Sequence, residues 1–117
     1  MTKQLFQRKE SDIQKPIIDY LEILENQGKI YFNRNNSFAG EIKRKNGSKG
    51  YIKNNKPGTP DIIFCYKGKY IGFETKTETG KQSDLQKEAE VKIKRAGGLY
   101  FIVRSVNQAI TIINNII

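Results

Sequence analysis

The pattern of apolar positions begins with a helical stripe. Residues 10–27 predict an amphipathic helix, because apolar side chains recur there at spacings of four, four and three. These side chains belong to Ile13, Ile17, Leu21 and Leu24. Gly28 is a natural end for this helix, since glycine readily adopts the left-handed conformation that follows many helix C-termini. Two further helices are predicted at residues 83–96 and 105–116, the last with Ser105 as its N-cap.

Between the helices, β-rich runs predict strands. Residues 29–34 alternate apolar and polar positions, whereas residues 99–103 form a continuous apolar run suited to a buried strand. The runs 62–66 and 70–76 are separated by a short turn at Lys67-Gly68. Two such runs joined by a glycine-containing turn predict an antiparallel hairpin.

The segment between these strands is polar, basic and rich in glycine. Residues 35–57 can be interpreted as a long loop or as a basic hairpin in which residues 38–42 pair with residues 50–53. We favour the hairpin, because Asn46-Gly47 is a strong turn dipeptide and a structureless loop of about twenty residues is uncommon in a compact domain. The element order is then helix, strand, basic hairpin, two strands, helix, strand, helix. This order predicts an α/β (or α+β) domain with a mixed sheet flanked by helices.

Composition narrows the possible chemistry. The chain has 117 residues, which fits a single domain spanning residues 1–117. It has no histidine and a single cysteine, Cys65, which excludes histidine-based catalysis, an intrachain disulfide and a cysteine zinc cluster. A metal site would need oxygen ligands, which favours Mg²⁺ or Mn²⁺. No run of 18 apolar residues and no apolar stretch after Met1 is present, so we expect no membrane partner, no signal peptide and a cytoplasmic location.

The charge of the chain suggests a polyanionic partner. The formal net charge is +9, and a small basic protein of this kind most often meets nucleic acid. Residues 29–56 contain eight basic residues and one acidic residue, so this segment carries +7 of that charge. When charge is the sole consideration, a solvated basic loop explains this segment about as well as a nucleic-acid-binding surface does.

The predicted strand pair brings chemistry-bearing residues together. Glu74 and Lys76 are two positions apart on a strand and therefore project from one face, whereas Thr75 projects from the other. A two-residue turn makes the numbers of paired residues sum to 135, which places Asp61 opposite Glu74 with Cβ atoms about 5 Å apart. A three-residue turn would shift this register and send the two carboxylates to opposite faces.

Two carboxylates this close need a neutralising partner. Their repulsion is of order 4 kcal/mol at about 4 Å and an effective dielectric near 20, so a proton, a lysine or a metal ion must offset it. Two carboxylates and a lysine are the groups that phosphodiester hydrolysis by a divalent ion and an activated water requires. An acid-x-Lys triplet alone is more often the solvated edge of a strand. A Glu-x-Lys whose glutamate lies thirteen residues after the aspartate of a Gly-x-Pro-Asp turn is far more specific.

These motifs resemble the VRR-NUC branch (virus-type replication and repair nucleases) of the PD-(D/E)XK nuclease superfamily. The central motifs are Gly58-Thr59-Pro60-Asp61, Phe73-Glu74-Thr75-Lys76-Thr77 and Gly80-Lys81-Gln82-Ser83-Asp84-Leu85-Gln86. Weaker likeness extends the match to about residues 8–110, nearly the whole chain. The resemblance implies a restriction-endonuclease-like core and the stand-alone form of the family found in phages and bacteria.

The resemblance also implies roles for individual residues, with Mg²⁺ or Mn²⁺ as the cofactor. The implied catalytic residues are Asp61, Glu74, Lys76, Glu10 and Gln86, and the implied metal ligands are Asp61, Glu74, the backbone carbonyl of Thr75 and Glu10. Ser83-x-x-Gln86 is equally a capping box, which gives Gln86 a structural alternative. Glu10 lies on the buried stripe if the first helix begins before it, but outside the helix if Ser11 caps a start at Asp12. With either start, Pro16 would disturb the first turns of this helix, because proline lacks a backbone N–H and its ring crowds the preceding turn.

The function expected from these observations is a divalent-metal-dependent DNA endonuclease that acts on branched, flap or junction DNA. The residues expected to contact DNA are Arg34, Lys43, Arg44, Lys45, Lys49, Lys53, Lys56 and Lys81. One site per chain cuts one strand, so a homodimer is expected, with no small-molecule substrate. The alternatives are a non-catalytic nucleic-acid-binding module and a sequence-specific restriction-type nuclease.

Overall fold

The computed structural model describes residues 9–35, 39–53 and 56–117, and of residues 39–42 and 51–53 it describes the backbone alone. The helices are α1 (Glu10–Asn26), α2 (Asp84–Arg95) and α3 (Val106–Ile116). The strands are β1 (Tyr31–Arg34), β2 (Ala39–Lys43), β3 (Lys49–Lys53), β4 (Ile62–Tyr66), β5 (Lys69–Thr75) and β6 (Leu99–Val103). This is the predicted order of elements. None of the helices within the described ranges is both long enough and apolar enough to cross a membrane.

Four strands form the main sheet in the order β1-β4-β5-β6. The β1–β4 and β4–β5 pairs are antiparallel and the β5–β6 pair is parallel, which confirms the predicted mixed sheet. In the β4–β5 hairpin Tyr66 pairs with Lys69 and Ile62 with Phe73, so the predicted register is correct. The turn has two residues, Lys67 and Gly68, both at positive φ (46° and 79°). Positive φ at both turn residues matches the right-handed twist of the two strands, so the turn fixes the register of β4 against β5.

The hydrophobic core lies between one face of the main sheet and helices α1 and α3. Its fully buried members include Ile13, Ile17 and Leu21 of α1, Ile62 and Phe64 of β4, Ile71 and Phe73 of β5, Val103 of β6, and Ala109 and Ile113 of α3. Helix α2 packs along β6 and buries no side chain completely. Apolar residues of β5 alternate with the positions that carry Glu74 and Lys76, so the core packs against the face opposite to the candidate chemistry.

Helix α1 begins at Glu10. The Asp12 carboxylate accepts a hydrogen bond from the backbone N–H of Lys9 (3.1 Å), so the alternative start at Asp12 with Ser11 as cap is wrong. The helix continues through Pro16, although proline cannot donate the backbone hydrogen bond of a helix interior. Packing of the apolar stripe stabilises the helix across this missing bond.

The basic segment forms a separate two-stranded sheet. β2 and β3 pair antiparallel, with Lys43 opposite Lys49, so the predicted hairpin is confirmed and the long loop is wrong. Residues 44–48 connect the strands, and the Asn46 side-chain oxygen accepts from both the N–H and the hydroxyl of Ser48 (3.0 and 2.6 Å). The predicted start of this hairpin at Phe38 lies outside the described residues. The hairpin packs against none of the other described helices and strands.

Candidate active site

Two acidic side chains meet at the end of the β4–β5 hairpin. Asp61 immediately precedes β4, and the register of the hairpin brings it beside Glu74 of β5. Glu74 is 1% exposed, and its Oε1 atom has no hydrogen-bond partner in the described part of the chain. Burial, a hydrogen bond with Asp61 and the negative charge of Asp61 together raise the pKa of Glu74 to about 9, and burial has the largest effect. The pair therefore holds a proton at neutral pH when no cation is present.

Backbone and side-chain donors hold Asp61 in place. Its Oδ2 atom accepts from the backbone N–H of Thr75 (2.9 Å) and from the Thr75 hydroxyl (2.7 Å). Its backbone carbonyl accepts from the N–H of Asn35 (2.7 Å), and the Asn35 amide donates to the carbonyl of Pro60 (3.1 Å). The Pro-Asp turn is thus tied to the end of β1 as well as to β5.

Lys76 directly follows β5 and supplies the positive charge of the site. It is 8% exposed, its backbone N–H donates to the carbonyl of Val103 (3.1 Å), and its charge lowers the pKa of Glu74 against the larger effects that raise it. The turn after Lys76 is held by Arg104, whose guanidinium donates to the carbonyls of Thr77 and Gly80. Asp61 thus meets Glu74 at the end of the hairpin, and the charge of Lys76 acts on Glu74.

Glu10 lies close enough to the pair for its charge to act on Glu74. It occupies the first position of α1, is half-buried, and its negative charge raises the pKa of Glu74. Within residues 9–35, 39–53 and 56–117, however, no three acidic, cysteine or histidine side chains form a group that could hold a metal ion. The two carboxyl groups that share a hydrogen bond in this structure are those of Asp61 and Glu74.

Gln86 is engaged in capping α2. Its Oε1 atom accepts from the N–H of Ser83 (2.8 Å), and the Ser83 hydroxyl accepts from the N–H of Gln86 (3.2 Å), so the capping box expected from the sequence is present. The Gln86 side-chain amide donates to no acceptor in the described residues. A turn residue, Gly58 (φ 80°), packs against the first turn of α2, since a Cβ there would lie 2.2 Å from the carbonyl of Leu85.

Two polar contacts near the pair did not emerge from the sequence. The Gln14 amide of α1 donates to the Thr75 hydroxyl (2.7 Å), which connects α1 to the end of β5. The Tyr100 hydroxyl accepts from the Gln82 amide (3.1 Å), and burial raises the pKa of Tyr100 to about 12, with smaller contributions from the charges of Glu74 and Asp61. A signal existed for Gln14, which lies one helical turn after Glu10 and beside the buried stripe.

The residues expected to contact DNA are mainly exposed. Exposed side chains belong to Arg34, Lys43, Arg44, Lys45, Lys49, Lys56 and Lys81, and the side chain of Lys53 lies outside the described residues. Arg34 pairs with Ile62, next to Asp61, so this cation lies at the same end of the sheet as the carboxylate pair. Lys43 and Lys49 lie directly opposite each other on β2 and β3, where like charges are destabilising unless an anion shares them.

Comparison with known proteins identifies the fold. No protein-family model and no curated protein matches the chain. Among solved structures, one described as "VRR_NUC domain" matches with a TM-score of 0.61 and 19% sequence identity, covering 90% of this chain and 94% of that chain. The restriction-endonuclease-like mixed α/β fold expected from the resemblance is therefore confirmed, and at this identity the likeness is one of fold: the chain has the fold of a VRR-NUC domain.

Proposed function

We propose that the protein is a divalent-metal-dependent DNA endonuclease of the PD-(D/E)XK type. The observation that carries this proposal is the buried Glu74 carboxyl, which lies beside Asp61 and has one oxygen without a hydrogen-bond partner among the described residues. A buried carboxylate pair is costly unless a cation compensates it, and a module that only bound nucleic acid would gain nothing from placing it near a polyanion. The enzyme hypothesis is therefore favoured over the non-catalytic binding module.

The donor set fits a hard divalent cation. Carboxylate oxygens from Asp61 and Glu74 are the ligand type that Mg²⁺ and Mn²⁺ prefer, and the backbone carbonyl of Thr75 is proposed as a further oxygen ligand. Glu10 is proposed as an auxiliary acid near the ion, since its charge reaches Glu74 without completing a three-carboxylate group. An ion bound at this place would polarise the phosphate and lower the pKa of a bound water.

The side chains of the site supply the remaining requirements. The Lys76 ammonium is proposed to offset negative charge that develops on the phosphate during hydrolysis. Asp61 is held by two hydrogen bonds on one oxygen, which reduces the reorganisation needed when substrate binds. The Gln86 amide is proposed to contact DNA while the carbonyl oxygen of the same side chain caps α2.

The proposed substrate is structured DNA such as a branch, flap or junction. The basic hairpin and its neighbours are proposed to contact phosphates, which position a duplex and carry no base readout. We therefore favour selectivity for DNA structure over a strict recognition sequence of the restriction type. Cleavage of both strands requires two sites, so a homodimer is proposed as the active form.

The experiment that tests this function measures cleavage of plasmid and of branched oligonucleotides with Mg²⁺, with Mn²⁺ and with EDTA. We expect metal-dependent cleavage that falls by about a hundredfold or more in each of Asp61→Ala, Glu74→Ala and Lys76→Ala, as is typical when positioned electrostatic groups are removed.

Matched controls are available on the outer face of α1, where Lys15, Asp19 and Glu22 are exposed. Alanine at each of these positions removes the same types of charge away from the site and should leave cleavage unchanged. Cleavage that persists in EDTA or in Glu74→Ala would contradict the proposed function.

A further inference from the structure

A chain of hydrogen bonds runs from helix α1 to the candidate active site. The Gln14 amide donates to the Thr75 hydroxyl (2.7 Å), and the Thr75 hydroxyl donates to Oδ2 of Asp61 (2.7 Å). We propose that Gln14 and Thr75 are positioning residues that hold the Asp61 carboxylate in its metal-binding orientation. This inference rests on the proposed function, because it gives these hydrogen bonds from Gln14 through Thr75 to Asp61, here called the relay, a role at that same site.

The donors and acceptors of the relay fix its direction. The Gln14 Nε2 group can only donate, so it occupies the acceptor side of the Thr75 hydroxyl. That hydroxyl has one proton, which then goes to Asp61. Thr75 is fully buried, so water does not compete for either bond. The orientation of the hydroxyl proton is therefore set by a residue on a different element of the fold.

The relay also determines which oxygen of Asp61 is available. The Thr75 backbone N–H (2.9 Å) and the Thr75 hydroxyl both end on Oδ2. Two bonds from a single residue restrict rotation of the carboxylate, and apart from the hydrogen bond that Asp61 shares with Glu74 the described residues donate no further bond to it. Because both Thr75 bonds end on Oδ2, Oδ1 is the oxygen that Thr75 leaves available to a cation.

The position of Gln14 makes a purely packing role a poor explanation. It is half-buried and next to the apolar stripe that contains Ile13 and Ile17, where an apolar side chain would bury surface without a polar group to satisfy. Instead the amide reaches a residue 61 positions away in the sequence. Groups of this kind behind a metal ligand orient the ligand, and their removal typically costs about 10–100-fold in metal affinity or activity.

The test is a double-mutant cycle on Mn²⁺ affinity, measured by isothermal titration calorimetry on the full chain without DNA. The four proteins are wild type, Gln14→Met, Thr75→Val and the double variant. We expect each single variant to bind Mn²⁺ about tenfold more weakly, or worse. Since Gln14 acts through the Thr75 hydroxyl, the double variant should bind no more weakly than Thr75→Val.

A rescue variant and controls separate positioning from structure. Thr75→Ser keeps the hydroxyl and should retain most of the Mn²⁺ affinity that Thr75→Val loses. Gln27→Met and Thr111→Val make the same chemical changes on the exposed C-cap of α1 and on the exposed face of α3, and should bind Mn²⁺ as wild type does. Gln14 is only half-buried, so Gln14→Met tests the inference even if Thr75→Val folds poorly.

Three results would overturn the inference. These are single variants that bind Mn²⁺ like wild type, a double variant whose loss equals the product of the two single losses, or a Thr75→Ser variant as impaired as Thr75→Val. Wild-type protein that binds no Mn²⁺ would instead contradict the proposed function, and this inference with it. The two failures are therefore distinguished by the wild-type titration.

Discussion

Glu74 is an ionisable side chain that the fold removes almost completely from water. It is 1% exposed, and its Oε1 atom lacks a hydrogen-bond partner among the described residues. A carboxyl in such a place keeps its proton or takes a cation, because the charged form alone is poorly solvated. The same burial that makes the residue costly for the fold makes it a strong ligand for a divalent ion.

Stability of the metal-free protein should therefore depend on the protonation of Glu74. Its pKa is about 9 in the folded protein against 4.5 for an ordinary glutamate, so between these values the unfolded chain releases a proton that the folded chain keeps. The unfolded state then binds fewer protons, and the free energy of unfolding falls as pH rises from 4.5 to about 9. Urea unfolding in EDTA at about pH 5 and about pH 8 should show this fall in wild type and a smaller one in Glu74→Gln.

The control for this measurement is Glu88→Gln, which makes the same change at an exposed position of α2. Its pH dependence should follow that of wild type. Parallel curves for wild type and Glu74→Gln would show that Glu74 is not held protonated by the fold.

At the scale of a single element, the first turn of α2 combines an observed capping role with a proposed role in contacting DNA. Ser83→Ala removes one acceptor of the capping box and should lower the free energy of unfolding by about 1 kcal/mol. Gln86→Glu keeps the oxygen that accepts from Ser83 and adds a negative charge at a helix N-terminus, so stability should be maintained or slightly increased. The same variant loses the amide proposed to contact DNA, and its cleavage rate should fall by about tenfold while that of folded Ser83→Ala does not.

Stability is read from urea unfolding and activity from initial cleavage rates at a temperature where all three proteins are folded. Wild-type cleavage by Gln86→Glu would restrict Gln86 to its capping role, which the sequence offered as the alternative.

Elements were predictable from the sequence where their causes are local. The apolar spacing that forms α1, the Ser105 cap of α3 and the Lys67-Gly68 turn each act within a few residues. That turn also fixed the register of β4 against β5, so a local feature was sufficient to place Asp61 opposite Glu74. The carboxylate pair could be predicted for this reason.

The remaining contacts depend on how elements pack against each other. Gln14 reaches Thr75 across 61 positions and Gln82 reaches Tyr100 across 18, and polar pairs of this kind leave no periodic signal in the sequence. The start of α1 was ambiguous because two caps were possible, and the contact of Asp12 with the N–H of Lys9 settles it. Glu10 was expected among the metal ligands, but its distance from the pair depends on the docking of α1 on the sheet.

At the scale of the whole molecule, the basic hairpin and the candidate active site occupy different parts of the fold. The basic hairpin packs against no other described element, whereas the carboxylate pair lies at the end of β5 in the main sheet. Within the described residues the one ion pair joins Lys94 to Glu90, and none involves Lys43, Arg44, Lys45 or Lys49. The proposed phosphate contacts of the hairpin and the proposed metal ligands therefore belong to different elements.

The contribution of the hairpin to DNA binding should appear in the salt dependence of affinity. If about six cations each neutralise a phosphate, the logarithm of the binding constant should fall with the logarithm of salt concentration at a slope near −5. Removing Lys43 and Lys49 together as alanine variants should make this slope shallower by about 2, since each lost phosphate contact contributes about 0.9. The measurement is fluorescence anisotropy of labelled DNA in EDTA, where cleavage does not occur.

The matched control removes two lysines at the other end of the main sheet. Lys67 and Lys69 lie at the β4–β5 turn, and Asp61 is a strand length away, about 16 Å at 3.3 Å per residue. The Lys67→Ala/Lys69→Ala variant has the same net charge as the hairpin variant, so non-specific attraction at long range is lowered equally in both. A slope that changes only in the hairpin variant locates the phosphate contacts on β2 and β3. Equal changes in both variants would mean that DNA responds to the total charge of the molecule, and the hairpin would then have no special part in holding the substrate.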